Sequence, residues 1–336
     1  MPLRALLVAT FMLLFTLPAA AWDRGRVETF AVLPPSAAHP EGITADRHGN
    51  IYVTTFDVTR TSGPGDLIIF GPHGRLIDHV SIDGSSNLLL DLAFHPLTHK
   101  LLVIDFGQQQ VLTVNPRTGA SSVFTTIPGG AAAGPNVLTF DQAGNVYISD
   151  SFQGKIWKTG PHGGTATEFA SHALLTTTGV PPFGANGLAF NNAGDSLFVC
   201  NTGNDSVVRI PVAGGNVSTP VAFAYGINGC DGLIIDDDDN LWIAANQADE
   251  IVVLNPEGRI IAKLGDFGGL DRHGKPIGLL FPASLVRHGG HIYISNLSLD
   301  LRLFGFNTGD AQWAADVRRH TISRIPARIP RVPGLK

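Results

Sequence analysis

Charge is scarce in this sequence. Asp, Glu, Lys and Arg make up 15% of the 336 residues, and the formal net charge is −5. So small and acidic a balance gives no basic face for phosphate neutralisation, which argues against nucleic acid as a partner. The basic residues that do cluster, Arg318, Arg319, Arg324, Arg328, Arg331 and Lys336, fall in a Pro-rich tail. The stretch 311–336 is therefore expected to be an extension, packed on the main domain or frayed. Cysteine is nearly absent: Cys200 and Cys230 either form one bridge or remain two buried thiols. Beyond the N-terminal stretch no apolar run is long enough to cross a bilayer. Several catalytic signatures are missing too. There is no G-x-S-x-G elbow, no Walker loop, no dinucleotide fingerprint, and no HExxH among the twelve histidines.

The N-terminus carries one charge, Arg4, then an apolar run broken by Pro18, then Ala19, Ala20 and Ala21. That layout is expected for a secretory signal peptide over 1–21, with a membrane anchor as the alternative. The mature chain is then expected to be secreted or periplasmic, soluble and monomeric. With 39 Gly, 22 Pro and many short apolar runs, it reads as all-β.

A repeat organises those runs. A polar residue, an apolar strand, a turn and a second strand recur from Glu41, Leu90, Asn136, Asn186, Asp231 and Ala283. The second strands share a triplet, usually with an aromatic centre: Ile51-Tyr52-Val53, Leu101-Leu102-Val103, Val146-Tyr147-Ile148, Leu197-Phe198-Val199, Leu241-Trp242-Ile243 and Ile292-Tyr293-Ile294. A period of 40–50 residues built from short strands predicts a β-propeller. The spacing predicts six blades of four antiparallel strands over 22–310. The last blade takes its third strand from "LRLFGF" at 301–306 and its fourth from the N-terminal "VETFAVL" at 27–33, which removes an exposed edge.

The run Asp236–Asp239 invites a metal-loop reading. It falls instead at the turn where sibling repeats have "DRHGN" and "DQAGN", and Leu241 and Gln247 stand where a calcium loop needs Gly and Glu. The residues that open the repeats are more informative. Equivalent positions ring the central channel of a propeller, and Glu41, Asn136, Asn186 and Asp231 bring side-chain oxygen to that ring. Hard oxygen donors suit Ca2+, or another divalent cation. Capping of strand ends is the alternative role for these four residues.

With the motifs "PEGI" at 40–43, "PN" at 135–136, "ANGLAF" at 185–190 and "CDGLIIDDDDNLWIA" at 230–244, the chain resembles the senescence-marker-protein/gluconolactonase-like (regucalcin-like) superfamily of six-bladed propellers. The resemblance covers nearly all of the mature chain and implies a calcium-dependent hydrolase of lactones or related esters. It makes Glu41, Asn186 and Asp231 calcium ligands, with Asn136 lining the site against metal or substrate. By the same resemblance Asp231 is the general base or water orienter. Sugar-lactone hydrolases of the family carry a basic residue close to the third-repeat Asn, whereas Gly134 and Pro135 stand here.

Other residues complete the candidate site. His39, two residues before Glu41, is a candidate proton shuttle. Phe183, Tyr225 and Phe281, in Gly/Pro-rich loops leading to the ring, are candidate substrate walls for a small, fairly apolar lactone or ester. Cys200 and Cys230 fall on the same face of adjacent blades, which permits a bridge. A non-catalytic binding propeller of the NHL type, with calcium as a structural plug, is the alternative to the enzyme.

Overall fold

The computed structural model describes residues 23–309 and 311–330, so the segment 1–21, expected to be a signal peptide, lies outside the described residues. Six antiparallel sheets stand around one axis, five of four strands and one, blade four, with a short fifth strand, Asn216–Val217; Phe267–Leu270 and Pro276–Gly278 form a separate two-stranded ribbon. Blade one is Pro40–Ala45, Ile51–Thr55, Asp66–Phe70 and Leu76–Ser81, from the axis outward. Blades two to five repeat the order, beginning at Leu89–Phe94, Pro135–Phe140, Ala185–Phe190 and Cys230–Ile235. Among the described residues, no helix is long and apolar enough to cross a membrane.

The repeated triplet explains why blades stack. A strand shows successive side chains to opposite faces, and both faces of a propeller blade are covered by neighbours. Tyr52 accordingly packs with Leu92, Leu101 and Val103 of blade two, while Ile51 and Val53 pack toward Phe30, Tyr293 and Ile322 of blade six. The same division holds round the ring. Tyr147 joins the blade three–four cluster while Val146 and Ile148 join the two–three cluster, and Trp242 joins five–six while Leu241 and Ile243 join four–five. All three triplet positions must therefore be apolar.

The Asp run is a turn. Asp236 accepts backbone bonds from Asp238 (3.0 Å) and Asn240 (2.9 Å) on Oδ1, and Oδ2 takes the Trp242 indole N–H at 2.9 Å. Asp46 and Asp141 do the same for the turns before Tyr52 and Tyr147. The first Asp of each turn holds the backbone and the aromatic that follows.

Blade six departs from the expectation. Its order is Pro282–His288, His291–Asn296, Thr321–Pro326 and Glu28–Val32. The N-terminal strand does close the ring, but the third strand is Thr321–Pro326, not 301–306. Leu301–Phe304 is a 3-10 turn, capped by the Asp300 side chain on the Arg302 N–H and ended by Gly305 at φ 85°. The short apolar run 301–306 suits a strand and a turn anchored by one buried residue, here Leu301, equally by pattern. Within the expected extension 311–336, the part Thr321–Pro326 is consequently a strand of the propeller, with Ile322 and Ile325 in its core.

This insertion of a C-terminal strand between the second strand and the N-terminal one makes a sharp prediction. A chain ended at residue 310 leaves two strand edges unpaired and opens the ring, so it should show no cooperative thermal transition. A chain ended at residue 330 should melt like the full mature protein; equal melting of both would disprove the role of Thr321–Pro326.

Candidate functional site

Each innermost strand is interrupted at the same place. In blade one Pro40 pairs with Thr55 and Ile43 with Val53, so Glu41 and Gly42 together oppose Thr54 alone. The same two-against-one bulge falls at Leu90–Asp91, Asn136–Val137, Asn186–Gly187, Asp231–Gly232 and Ala283–Ser284. A bulge breaks the pleat and re-aims a side chain, and here it occurs at all six residues that open the repeats. Gly at the second bulge position lets strands converge: a Cβ on Gly42 or Gly187 would collide with the carbonyl of Leu90 or Asp231 on the next blade.

The result is a cavity of about 50 Å3 at one end of the channel. Glu41, Asn136, Asn186 and Asp231 all line it, each no more than 5% exposed. Its remaining wall includes Leu90, Phe56, Phe183, Phe281, Leu297, Leu299 and Leu301. The volume suits an ion with a water or two rather than a whole organic substrate.

The amides are oriented by their neighbours. Ser151 donates its hydroxyl proton to the Ala185 carbonyl of the next blade (2.7 Å) and so accepts from Asn136 Nδ2 at 3.0 Å. Thr202 likewise donates to the Cys230 carbonyl (2.7 Å) and accepts from Asn186 Nδ2 at 2.9 Å. With both nitrogens engaged, Asn136 Oδ1 and Asn186 Oδ1 are buried without a partner, as is Glu41 Oε2. Asn246 donates to Asp231 Oδ2 at 2.9 Å and leaves its own Oδ1 unpartnered. Buried acceptors without donors are costly, so this collection of bare oxygens fits a bound cation.

The electrostatics agree. Burial pushes the Glu41 carboxyl well above the usual carboxylate range, and Asp231 and Asp91 push it further. Burial also raises Asp231, against bonds from Asn246 and Asn186 that favour its charge. Asp91, at the bulge of blade two and at the opposite mouth of the channel, is pushed up to about 7 by burial. Among the described residues no three His, Cys, Asp or Glu are grouped to hold a metal; a site here takes half its donors from amides.

The other expectations divide. Phe183 and Phe281 line the cavity. Tyr225 does not: it ends the outermost strand of blade four, paired with Ser206, and is 67% exposed. The pattern around it suits a loop, but Val221–Tyr225 is a strand on the outer side of blade four. His39 is buried outside the cavity wall, with Nδ1 3.0 Å from the Leu297 carbonyl and its ring edge-on to His320. Burial lowers its pKa, and the structure does not bring it into the cavity with Glu41 and Asp231. Cys200 and Cys230 form a disulfide with Cα atoms 5.3 Å apart.

A second tier escaped the sequence reading. The residue three after each triplet borders the cavity or its first neighbours: Phe56, Phe106, Ser151, Thr202, Asn246 and Leu297. The signal was in the repeat, at one fixed phase, and it separates apolar blades six, one and two from polar blades three, four and five.

A six-bladed propeller with an acceptor-lined cavity on its axis is thus the class of protein at hand. Residues 93–265, just over half of the chain, match the SMP-30/Gluconolactonase/LRE-like region, and the chain belongs to that family. Solved structures similar in fold include a luciferin-regenerating enzyme (15% identity, TM-score 0.66, covering 93% of this chain and 99% of that one). They also include the calcium-binding protein regucalcin from Agrobacterium tumefaciens (14%, 0.62, 91% and 99%). A third is a gluconolactonase from Xanthomonas campestris (14%, 0.63, 91% and 90%). No curated protein matches the chain.

Carboxyls raised by burial bind protons in the folded state that the unfolded chain has already released. Stability of chelator-treated protein should therefore fall as pH rises from about 4 to about 7. Thermal melts across that range check this. Asp91→Asn should flatten the fall and raise stability at pH 8, by on the order of 2 kcal/mol; a flat wild-type profile would contradict the assignment.

Proposed function

We propose that this protein is an exported, calcium-dependent hydrolase of lactones or related esters. One observation carries the reading: two buried carboxylates and two buried amide oxygens, three of these groups with an oxygen lacking any partner, converge on one axial cavity. The names of the regucalcin and gluconolactonase neighbours support it. Glu41, Asn136, Asn186 and Asp231 would hold the ion. When bound, calcium supplies a Lewis acid for the ester carbonyl and the attacking water.

The chain's own contribution follows from the contacts above. Ser151 and Thr202 fix the Asn136 and Asn186 amides with oxygen inward, so the donors are set before an ion arrives. Asn246 holds Asp231 Oδ2 and sets the plane of that carboxylate. Asp231 orients the attacking water and accepts its proton. A carboxylate beside a cation is a weak base, so orientation is the larger part of its role. Phe56, Phe183, Phe281 and Leu301 keep bulk water from the reacting ester.

A second reading, a binding propeller with calcium as a plug, draws on the small volume of the cavity. The two separate cleanly. Titration calorimetry on chelator-stripped protein should give one calcium per chain, and Glu41→Gln and Asp231→Asn should each weaken it at least tenfold. Calcium-loaded wild type should hydrolyse members of a lactone panel, with kcat in Asp231→Asn down by about 10²–10⁴. Binding without turnover would favour the plug, and no binding would end both readings.

A further inference from the structure

The cavity wall says what kind of ester fits, and this step rests on the hydrolase reading above. A sugar-acid lactone presents a hydroxyl on most ring carbons, and each needs a partner when water is removed. The wall offers little for them. Among the described residues, no Lys, Arg, His, Tyr or Trp lines the cavity. The one lining hydroxyl, Thr202, has its proton on the Cys230 carbonyl. The amide nitrogens of Asn136, Asn186 and Asn246 are engaged by Ser151, Thr202 and Asp231. What remains polar is acceptor oxygen aimed at the axis, which on the hydrolase reading is committed to the ion rather than to substrate hydroxyls.

The rest of the wall is apolar and runs outward. Phe56, in the cavity wall, meets Phe106 at 5.7 Å between ring centroids; Phe106 meets Phe152 at 5.6 Å, and Phe152 meets the lining Phe183 at 5.4 Å. Phe152 is 47% exposed. Two more exposed apolar side chains, Leu303 and Phe304, stand in the same 3-10 turn as the lining Leu301. Exposed apolar surface joined to a pocket marks a place where a ligand is covered. The cavity itself has room for the ion and the reacting atoms only, so the rest of a substrate must lie on this run.

We infer that the substrate is a lactone or ester whose non-reacting part is an apolar alkyl or aryl group, seated along the Phe56–Phe106–Phe152–Phe183 run, and that polyhydroxylated sugar lactones are poor substrates. The reaction balances simply: water adds its hydroxyl to the acyl carbon, the ring C–O bond breaks, and the released alkoxide takes the proton to give a hydroxy acid.

The test is a homologous series of δ-lactones from δ-valerolactone to δ-dodecalactone, with glucono-δ-lactone alongside. In calcium-loaded wild type, kcat/KM should rise about two- to fourfold per methylene and glucono-δ-lactone should fall below δ-decalactone. Phe152→Asp, an exposed position that leaves the core intact, should lower the decalactone-to-valerolactone ratio at least tenfold with unchanged melting. A flat series, or preference for glucono-δ-lactone, overturns the inference while the hydrolase reading stands. If no lactone turns over, the hydrolase reading falls by itself. Binding of 2-heptylcyclopentanone against cyclopentanone, which have no bond to cleave, then decides the apolar seat. A tighter Kd for the heptyl compound, lost in Phe152→Asp, supports the seat, and equal Kd values overturn it.

Discussion

Glu41 and Asp231 share a buried axial cavity, and that constraint governs the rest of the architecture. Two carboxylates out of water and in reach of each other disfavour ionisation of both, and the raised carboxyls record this. The surrounding amides relieve it only in part. Asn246 and Asn186 lend protons to Asp231, while the Asn136 and Asn186 oxygens and Glu41 Oε2 keep no partner. A cavity of acceptors is unfavourable by itself and is resolved by a proton or a cation. The chain commits second-tier hydroxyls to keep it that way.

That commitment depends on rigid geometry. The hydroxyls that fix the amides spend their protons on carbonyls of the next blade, so the orientation of a ligand on one blade is set by the backbone of another. Ser295 ties blade six to the Glu41 carbonyl in the same manner, and Thr54 ties blade one to Leu90. The disulfide joins Cys200, opposite the Asn186–Gly187 bulge, to Cys230, which directly precedes Asp231. The strand that carries Asp231 is thereby cross-linked to Ser196–Asn201, the strand paired with that of Asn186. Ring closure by Thr321–Pro326 and Glu28–Val32 completes the frame and keeps blade six against blade one, where Glu41 lies.

Much of this was legible in the repeat, because a propeller presents equivalent residues at equivalent phase. Glu41, Asn136, Asn186 and Asp231 stood out as polar residues where an inner strand should begin, and the structure brings them to one cavity. What pattern could not tell is whether a short apolar run is a strand or a turn. "LRLFGF" was read as a strand, and the true third strand lay in a tail that its Arg and Pro content made look peripheral. Tyr225 failed for the converse reason: its run, read as a loop, is an outer strand. His39 lay next to Glu41 in sequence, but with φ at 53° it is carried to the far side of the wall against His320. Adjacency along a chain does not survive such a turn. The second tier was visible in principle, one fixed step after each triplet, yet it has meaning only once the strand ends are known to surround the channel.

The division of that second tier bears on the chemistry as a whole. Polar residues on blades three to five sit behind the candidate ligands, and apolar residues on blades six, one and two face them. An ester is neutral and amphipathic in the same sense: a polar acyl carbon with an apolar remainder. Its hydrolysis yields an anion, and the wall holds no cationic side chain to retain one. Glu41 and Asp231 are already positioned to balance a divalent charge. On the hydrolase reading, a released carboxylate meets no Lys, Arg or His among the described residues that line the cavity. An apolar approach, an acceptor-lined centre and no basic residue to detain the product together match a neutral substrate that becomes charged only on cleavage.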